Sequence, residues 1–236
     1  MQPILPETVS LRYRPGTHAK GEDTLRRILE VAIEVFAEEG YEGASTRTLA
    51  DRAKVNLPAI QYYFGSKEGL YRAAIDHIAK FVESRMAALA AQAETLLAGD
   101  PTPDELLRML LAMLDGFVDL VTTDDAPPSA CLFITRAEVE DATALDALHN
   151  QMMRLVSQPC MDLVARALGR PLDDEAKIRA SAILGQALMF KKKGTKMGAC
   201  PLLGWDAINE TRLQTLKTIL REQTTAIIRA AMDKNS

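Results

Sequence analysis

Residues 55–71 read VNLPAIQYYFGSKEGLY, and they give the clearest indication of how the chain is arranged. It combines a proline, two adjacent tyrosines and a glycine with the spacing of a helix. Asn56 is a good helix N-cap, Pro58 is tolerated in a first turn whose amides are unpaired anyway, and Gly65 ends the pattern. These signals predict a short helix over 56–64. Because an isolated helix needs ~12 to 15 residues for even marginal stability, packing must hold this one.

The predicted short helix has two different faces. Ile60 and Phe64, four residues apart, form its buried face, with Tyr63 alongside. The opposite face is small, smooth and sparsely charged, and it presents Leu57, Pro58, Ala59, Gln61 and Tyr62. That shape suits a helix that enters a groove of DNA.

Helical periodicity extends along the rest of the chain. Apolar residues recur at three and four over 24–39, and Gly40 stands where a C-terminal cap belongs. A second short helix follows Ser45 and stops near Lys54, and Ser66 caps a fourth helix that runs to about Leu97. Further helical blocks are predicted over 103–122, 129–139, 143–168, 173–190 and 205–232. Because no alternating strand pattern occurs, the sequence predicts an all-α protein.

Length and composition narrow the class of protein. The 236 residues leave room for one large or two modest domains. No apolar run reaches the ~18 residues of a membrane span, and no signal-peptide apolar region opens the chain, so we expect a cytoplasmic protein without a membrane partner. Cys131, Cys160 and Cys200 are widely spaced and odd in number, which predicts ordinary free thiols. No residue pattern indicates a catalytic site, a metal site or a bound cofactor, so no enzyme activity is expected.

Positive charge is concentrated beside the opening stretch. The chain as a whole carries a net charge of −4, which by itself argues against non-specific binding of nucleic acid. Residues 45–67, however, contain Arg47, Arg52, Lys54 and Lys67 against a single acidic residue, Asp51. The local excess of positive charge therefore points to an anionic partner for this segment alone.

The helix dipole gives a second reason to expect an anion. A positive helix N-terminus normally favours acidic residues by ~0.3 to 1 kcal/mol each. Helix two instead begins with Thr46, Arg47 and Thr48, and helix four begins with Lys67, compensated only by Glu68. A cation is reasonable at such an end if a phosphate arrives there and accepts from the free amides. Exposed arginines are usually only solvated and paired tyrosines usually only pack, so a structural interpretation stays open at this point.

The segment from Thr24 to Tyr71, with STRTLADRAKV followed by IQYYFGSKEGLY, strongly resembles the helix-turn-helix domain of TetR-family transcriptional regulators. Downstream, CLFITRAEVEDATALDALHNQ, SAILGQALMF and LLGW are similar to the effector domain of the CecR-type branch. The family pattern implies phosphate contacts by Thr46, Arg47, Tyr63 and Lys67. It also implies that the major groove is met by Leu57, Pro58, Ala59, Gln61 and Tyr62.

Lys54 departs from the family pattern, in which many relatives place glycine at the turn. A left-handed backbone at this position would be mildly strained for lysine, unless the turn differs slightly. We expect Lys54 to add a contact to the DNA backbone.

The resemblance also implies a domain organisation. It implies that residues 22–71 form a three-helix helix-turn-helix DNA-binding domain and that residues 72–236 form a helical domain for effector binding and dimerisation. Independently of the resemblance, we expect residues 1–21 to form a flexible N-terminal arm, with a reach of RYRPGTHAKG into a minor groove as the alternative. The protein would be a homodimeric repressor, released from a near-palindromic operator on double-stranded DNA by a small-molecule effector. Its last two helices would pair across a twofold axis, although the segment KKKGTKMGAC at 191–200 departs from the apolar continuation expected there.

Candidate effector contacts come from the downstream helices: Phe117, Phe133, Arg136, His149, Met152, Met153, Met189 and Phe190. Methionine and phenylalanine at helical spacing are usually core residues, and His149 more often satisfies a hydrogen bond than binds a ligand. Arg136 is more informative, because a buried arginine needs either an acidic side chain or a ligand anion as its partner.

A rival hypothesis comes from another class of protein. An all-helical small-molecule carrier or enzyme would retain the two short helices only as scaffold. Salt-dependent binding to duplex DNA distinguishes the two hypotheses, since only a DNA-binding protein releases counterions from phosphates.

Overall fold

A computed structural model describes residues 19–122, 125–127, 129–140, 142–191 and 199–234, and within these ranges the chain forms helices and no strands. The all-α prediction is confirmed. Residues 1–18 of the predicted arm and 192–198 of KKKGTKMGAC lie outside the described residues. Within the described part, no helix combines the length and apolar character needed to cross a bilayer.

From residue 19 onwards, four helices make up the described N-terminal part: α1 (Ala19–Gly43), α2 (Thr46–Ala53), α3 (Leu57–Phe64) and α4 (Lys67–Leu97). The predicted first helix over 24–39 begins earlier than expected, because its polar first turns carry no hydrophobic period. The break expected at Gly40 is present, since its φ of 79° is not helical, and one further turn follows it. The other three helices agree closely with the prediction.

The C-terminal part contains seven α-helices among the residues that the structure describes: α5 (Pro103–Thr122), α6 (Ala130–Glu140), α7 (Asp146–Met152), α8 (Gln158–Ala167), α9 (Asp174–Leu188), α10 (Ala199–Leu202) and α11 (Glu210–Asp233). The block predicted over 143–168 is helical but not uniform, since a 3₁₀ turn precedes α7 and a π-helical segment, Met153–Ser157, separates α7 from α8. The last helix begins later than the predicted residue 205, because Asn209 accepts a hydrogen bond from Arg212 N and caps it.

An aromatic cluster joins the two parts of the fold. It consists of Phe36 and Tyr41 from α1, Tyr71 from α4 and Phe133 from α6. The Tyr71 ring lies edge-on to Phe36, Tyr41 and Phe133, with ring centroids 4.9, 5.0 and 5.1 Å away. Edge-to-face pairs at this spacing are favourable beyond their buried area. The cluster fixes α6 against the N-terminal helices.

Helix α4 runs through both parts and meets α5 closely at Gly116. A Cβ atom at Gly116 would lie 2.4 Å from Leu89 Cδ1 and 3.5 Å from Met86 Sδ of α4. A side chain at this position would force Leu89 to change its conformation. The contact lies well along α4, away from its N-terminus.

Helix α11 packs on α5 through charge as well as apolar contact. Lys217 Nζ lies 2.6 Å from Asp119 Oδ1, and Arg221 forms an ion pair with Asp115 one turn away. The buried side of α11 is one narrow stripe, formed by Leu216, Leu220, Thr224, Ile228 and Ala231. Its other faces, including Ile219 and Ile227, stay exposed.

We predict that Phe133→Ala lowers the free energy of unfolding by about 3 to 5 kcal/mol, because it removes a fully buried ring from the cluster that joins the two parts. Urea denaturation followed by circular dichroism measures the change. Val139→Ala on the same helix, at a position 86% exposed, is the matched control and should stay within about 0.5 kcal/mol of the wild type. Equal effects of the two substitutions would contradict the importance of the cluster.

Candidate nucleic-acid interface

The N-terminus of α2 is capped but carries no acidic side chain. Ser45 Oγ accepts from Thr48 N at 3.0 Å and lies 2.8 Å from Thr48 Oγ1. No acidic residue occupies the first turn, as the sequence indicated. Arg47 is exposed and Thr46 is half-buried. The positive end of this helix dipole is therefore open to an anion from outside the helix.

Helix α3 has the two faces that the sequence predicts. Asn56 caps it by accepting from Ala59 N at 3.1 Å. Ile60 and Phe64 are buried, with 1% and 8% of their surface exposed. On the other side, Leu57, Pro58, Gln61 and Tyr62 are exposed and Ala59 is half-buried. An exposed leucine and an exposed tyrosine on so short a helix indicate a surface that is covered in function.

The turn between α2 and α3 depends on Lys54 in a left-handed conformation, with φ of 53° and ψ of 45°. Its backbone N–H donates to carbonyl oxygens of Ala50 and Asp51, which ends α2. The strained alternative considered for this position is thus the one observed, and the lysine side chain is exposed.

The N-terminus of α4 follows α3 directly. Ser66 Oγ accepts from Gly69 N at 3.0 Å, and Glu68, the only acid of the first turn, pairs with Arg72 at 2.8 Å. Lys67 is half-buried, with Nζ 2.8 Å from the carbonyl oxygen of Tyr41 and 4.4 Å from the centre of the Tyr41 ring. The Lys67 ammonium is therefore held in a defined position beside the first turn of α4.

Arg52 serves a structural purpose in the short helices. Its Nη1 donates to Glu38 Oε2 at 2.5 Å, and its Nη2 lies 3.6 Å from Glu34 Oε2, which ties α2 to α1. The hydrogen bond from Arg52 holds the pKa of Glu38 below its usual value. Of the four basic residues in 45–67, Arg52 forms ion pairs, and Arg47, Lys54 and Lys67 form none among the described residues.

The candidate effector residues differ in burial. Phe117 and Phe133 are buried, Met152 and Phe190 are half-buried, and Met153 and Met189 are exposed. His149 Nε2 lies 3.6 Å from Glu138 Oε1, and the Phe190 ring lies 6.5 Å from that of Trp205. Their role in effector binding stays a prediction.

Arg136 has protein partners. Its Nε donates to Glu140 Oε1 at 2.9 Å, and its Nη1 donates to the carbonyl oxygens of Ala37 and Glu38 at 3.2 and 2.7 Å. Of the two partners that the sequence left open, the acidic side chain is the one present here. The sequence contained the i,i+4 spacing of Arg136 and Glu140 on α6, but nothing in it pointed to α1 as their neighbour.

Two shallow grooves lie on the described surface. One, of about 320 Å³, runs between α4 and α5 and is lined by Gln92, Leu96, Glu105, Arg108, Met109 and Ala112. The other follows α11. None of the candidate effector residues lines either groove.

The three cysteines are not paired in disulfides. Cys131, Cys160 and Cys200 are free, and burial raises the pKa of Cys160 to about 12. A thiol in that state is unreactive. Within the described ranges, no cluster of three or more histidine, cysteine or acidic side chains is arranged to hold a metal ion.

Helices α2 and α3 are short and capped, and α3 exposes an apolar face between two positive helix N-termini. This arrangement is that of a helix-turn-helix DNA-binding protein. Residues 28–74 match the family described as bacterial regulatory proteins, tetR family, and residues 106–231 match the C-terminal domain of the HTH-type transcriptional dual regulator CecR. The chain belongs to the TetR family of transcriptional regulators and carries the CecR type of C-terminal domain.

Similarity to individual proteins extends over most of the chain. The chain is 30% identical to the HTH-type transcriptional dual regulator CecR of Shigella flexneri, over 86% of this chain and 90% of that protein. It is 36% identical to the HTH-type transcriptional repressor NicS of Pseudomonas putida, over 67% of this chain and 66% of that protein. A crystal structure of a HlyIIR mutant shares the fold, with a TM-score of 0.56 at 17% identity, over 86% of this chain and 97% of that one.

We predict opposite effects of Lys54→Gly on stability and on DNA affinity. Glycine removes the strain of a left-handed residue and should raise the free energy of unfolding by about 0.5 to 1 kcal/mol, whereas losing the exposed ammonium should weaken binding to DNA. Urea denaturation and fluorescence anisotropy measure the two effects. Lys54→Ala is the control, since it keeps the strain and loses the charge. Wild-type affinity in both variants would exclude Lys54 from the interface.

Proposed function

We propose that this regulator acts as a homodimeric repressor, which binds a near-palindromic operator and leaves it when a small-molecule effector binds the C-terminal domain. The relative NicS is named a repressor and CecR a dual regulator. Dimerisation, the sign of regulation and the effector response are part of this proposal.

The observation that carries the proposal is the pair of helix N-termini on either side of α3. The first turn of α2 contains Arg47 and no acid, and the acid in the first turn of α4 is paired with Arg72. Both turns hold free amides and a nearby cation, which is the arrangement that binds phosphate. The exposed face of α3 lies between them in the chain. A duplex whose major groove receives α3 would bring one phosphate backbone to the N-terminus of α2 and one to the N-terminus of α4.

Each part of the site then has a separate task. Phosphate contacts come from Thr46, Arg47, Lys54, Tyr63 and Lys67, and they set the position of the protein on the duplex. Base edges are read by the exposed face of α3, formed by Leu57, Pro58, Ala59, Gln61 and Tyr62. Among these five, Gln61 has the side chain that pairs in a bidentate way with adenine.

The proposed dimer uses α9 and α11. Large apolar side chains are exposed on both helices, including Ile178 and Leu188 on α9 and Ile219 and Ile227 on α11. Such side chains are costly to leave in water and suit a four-helix interface across a twofold axis. The two α3 helices would then lie ~34 to 36 Å apart, one turn of DNA, which is why we expect a near-palindromic operator.

Release by an effector requires a difference in affinity. A small molecule shifts the dimer away from the DNA-binding state only if it binds another state more tightly. Helix α4 passes from the proposed phosphate site into the C-terminal domain, so it links the two binding events physically. The candidate effector residues remain the places to test for such a ligand.

The dependence of DNA affinity on salt tests the proposal. If Arg47, Lys54 and Lys67 of each subunit neutralise phosphates, the logarithm of the binding constant should fall with the logarithm of salt concentration with a slope of about −5. Titrations of a selected operator duplex at several salt concentrations measure the slope. A flat dependence, or no binding at low salt, would contradict the proposal.

Readout and positioning should separate by mutation. Gln61→Ala should reduce the preference for the operator over a mismatched duplex by about 1 to 3 kcal/mol for each mismatched half-site, because the base contact in that half-site is lost. Arg47→Ala should weaken binding to both duplexes by the same factor, since it removes only a phosphate contact. Competition assays with the two duplexes measure both effects. Unchanged discrimination in the Gln61 variant would remove that residue from base readout.

A further inference from the structure

One turn of α6 completes the end of α1. Arg136 donates to the carbonyl oxygens of Ala37 and Glu38, and Glu140 Oε2 accepts from Tyr41 N at 2.9 Å. The last carbonyl groups of a helix carry partial negative charge and lack partners within the helix, so a guanidinium is well suited to them. The Glu140 carboxylate accepts from the N–H of Tyr41, which lies just beyond the break at Gly40.

The Tyr41 residue is held from both sides. Its N–H donates to Glu140 of the C-terminal domain, and its carbonyl oxygen accepts from Lys67 Nζ at the start of α4. A continuous chain of polar contacts therefore runs from Arg136 through Glu140 and Tyr41 to Lys67. The N–H of Tyr41 and the Arg136 guanidinium also keep the pKa of Glu140 below its usual value.

Gly40 provides the room for these contacts. A Cβ atom there would lie 2.3 Å from Glu140 Oε1 and 2.8 Å from Arg136 Nε. Its φ of 79° is also unfavourable for any residue with a side chain. The α1 backbone is thus shaped so that two side chains of α6 can reach it.

We propose that Arg136 and Glu140 are positioning residues for DNA binding, which place the Lys67 ammonium beside the first turn of α4 through the peptide groups of Tyr41. This inference rests on the proposed function, in which Lys67 contacts a phosphate. Neither α6 residue touches DNA. A displacement of α6 would release the Tyr41 peptide and with it the defined position of Lys67, so the C-terminal domain acts on a phosphate contact through a few hydrogen bonds.

A double-mutant cycle in the full-length protein tests this inference, with Glu140→Gln, Lys67→Met and the pair. Arg136 and Tyr41 N donate to different carboxylate oxygens of Glu140, and in glutamine an NH₂ donor replaces one of these two acceptors. We expect Glu140→Gln to weaken operator binding roughly fivefold to a hundredfold per dimer, the size of one disturbed hydrogen bond in each subunit. In the Lys67→Met background the same substitution should change affinity less than about twofold. Independent, multiplicative losses would overturn the inference.

The salt slope separates positioning from a loss of stability. Lys67→Met should reduce the magnitude of the slope by about 2, one phosphate from each subunit, and Glu140→Gln should reduce it similarly because Lys67 is no longer held. A substitution that only destabilises the fold leaves the slope of the folded protein unchanged. A wild-type slope in Glu140→Gln would therefore also contradict the inference.

Two further variants keep the test decisive. Glu105→Gln is the matched control: Glu105 accepts from Thr102 N at 2.8 Å at the start of α5, and its loss should leave DNA affinity unchanged. If Glu140→Gln fails to fold, Arg136→Lys replaces it in the cycle with the same expected outcome. Wild-type protein that ignores duplexes at low salt would reject the proposed function and this inference together, whereas binding with multiplicative losses rejects the inference alone.

Discussion

The two short helices exist only because of what they pack against. Helices α2 and α3 have eight residues each, too few to be stable alone, so burial of Leu49, Ile60 and Phe64 decides whether they form. Their frame is α1 and α4, and the aromatic cluster around Tyr71 holds that frame to α6. The orientation of the surface offered to DNA therefore depends on contacts that never reach DNA.

Local signals explain how much of this surface could be predicted from the sequence. Asn56 and Gly65 mark the limits of α3 because capping chemistry depends on near neighbours in the chain. Ile60 and Phe64 are buried because helical spacing places them on one side. The left-handed Lys54 was one of two foreseen outcomes for a turn that usually takes glycine. A first turn without an acid is not particular to α2, since α6 also begins without one.

Contacts between residues far apart along the chain could not be predicted from the sequence. The sequence indicates that Arg136 needs a partner. Its hydrogen bonds to the carbonyl oxygens of Ala37 and Glu38, however, connect residues that are 99 and 98 positions apart in the chain. Periodicity indicates which face of α6 is buried and not which helix covers it. The same limit applies to the effector candidates: Phe133 packs into the aromatic cluster and Phe190 beside Trp205. Spacing alone could not separate these locations.

Helix α4 is long enough to connect the two parts of the fold. Its 31 residues form one rod of about 46 Å, with its N-terminus beside Lys67 and its far end in the C-terminal domain. At Gly116 of α5, the Leu89 side chain of α4 occupies the space that a Cβ atom would need. Because α4 also packs on α1, α7 and the π-helical segment, a displacement of its distal end would be transmitted to those neighbours as well as to its N-terminal end.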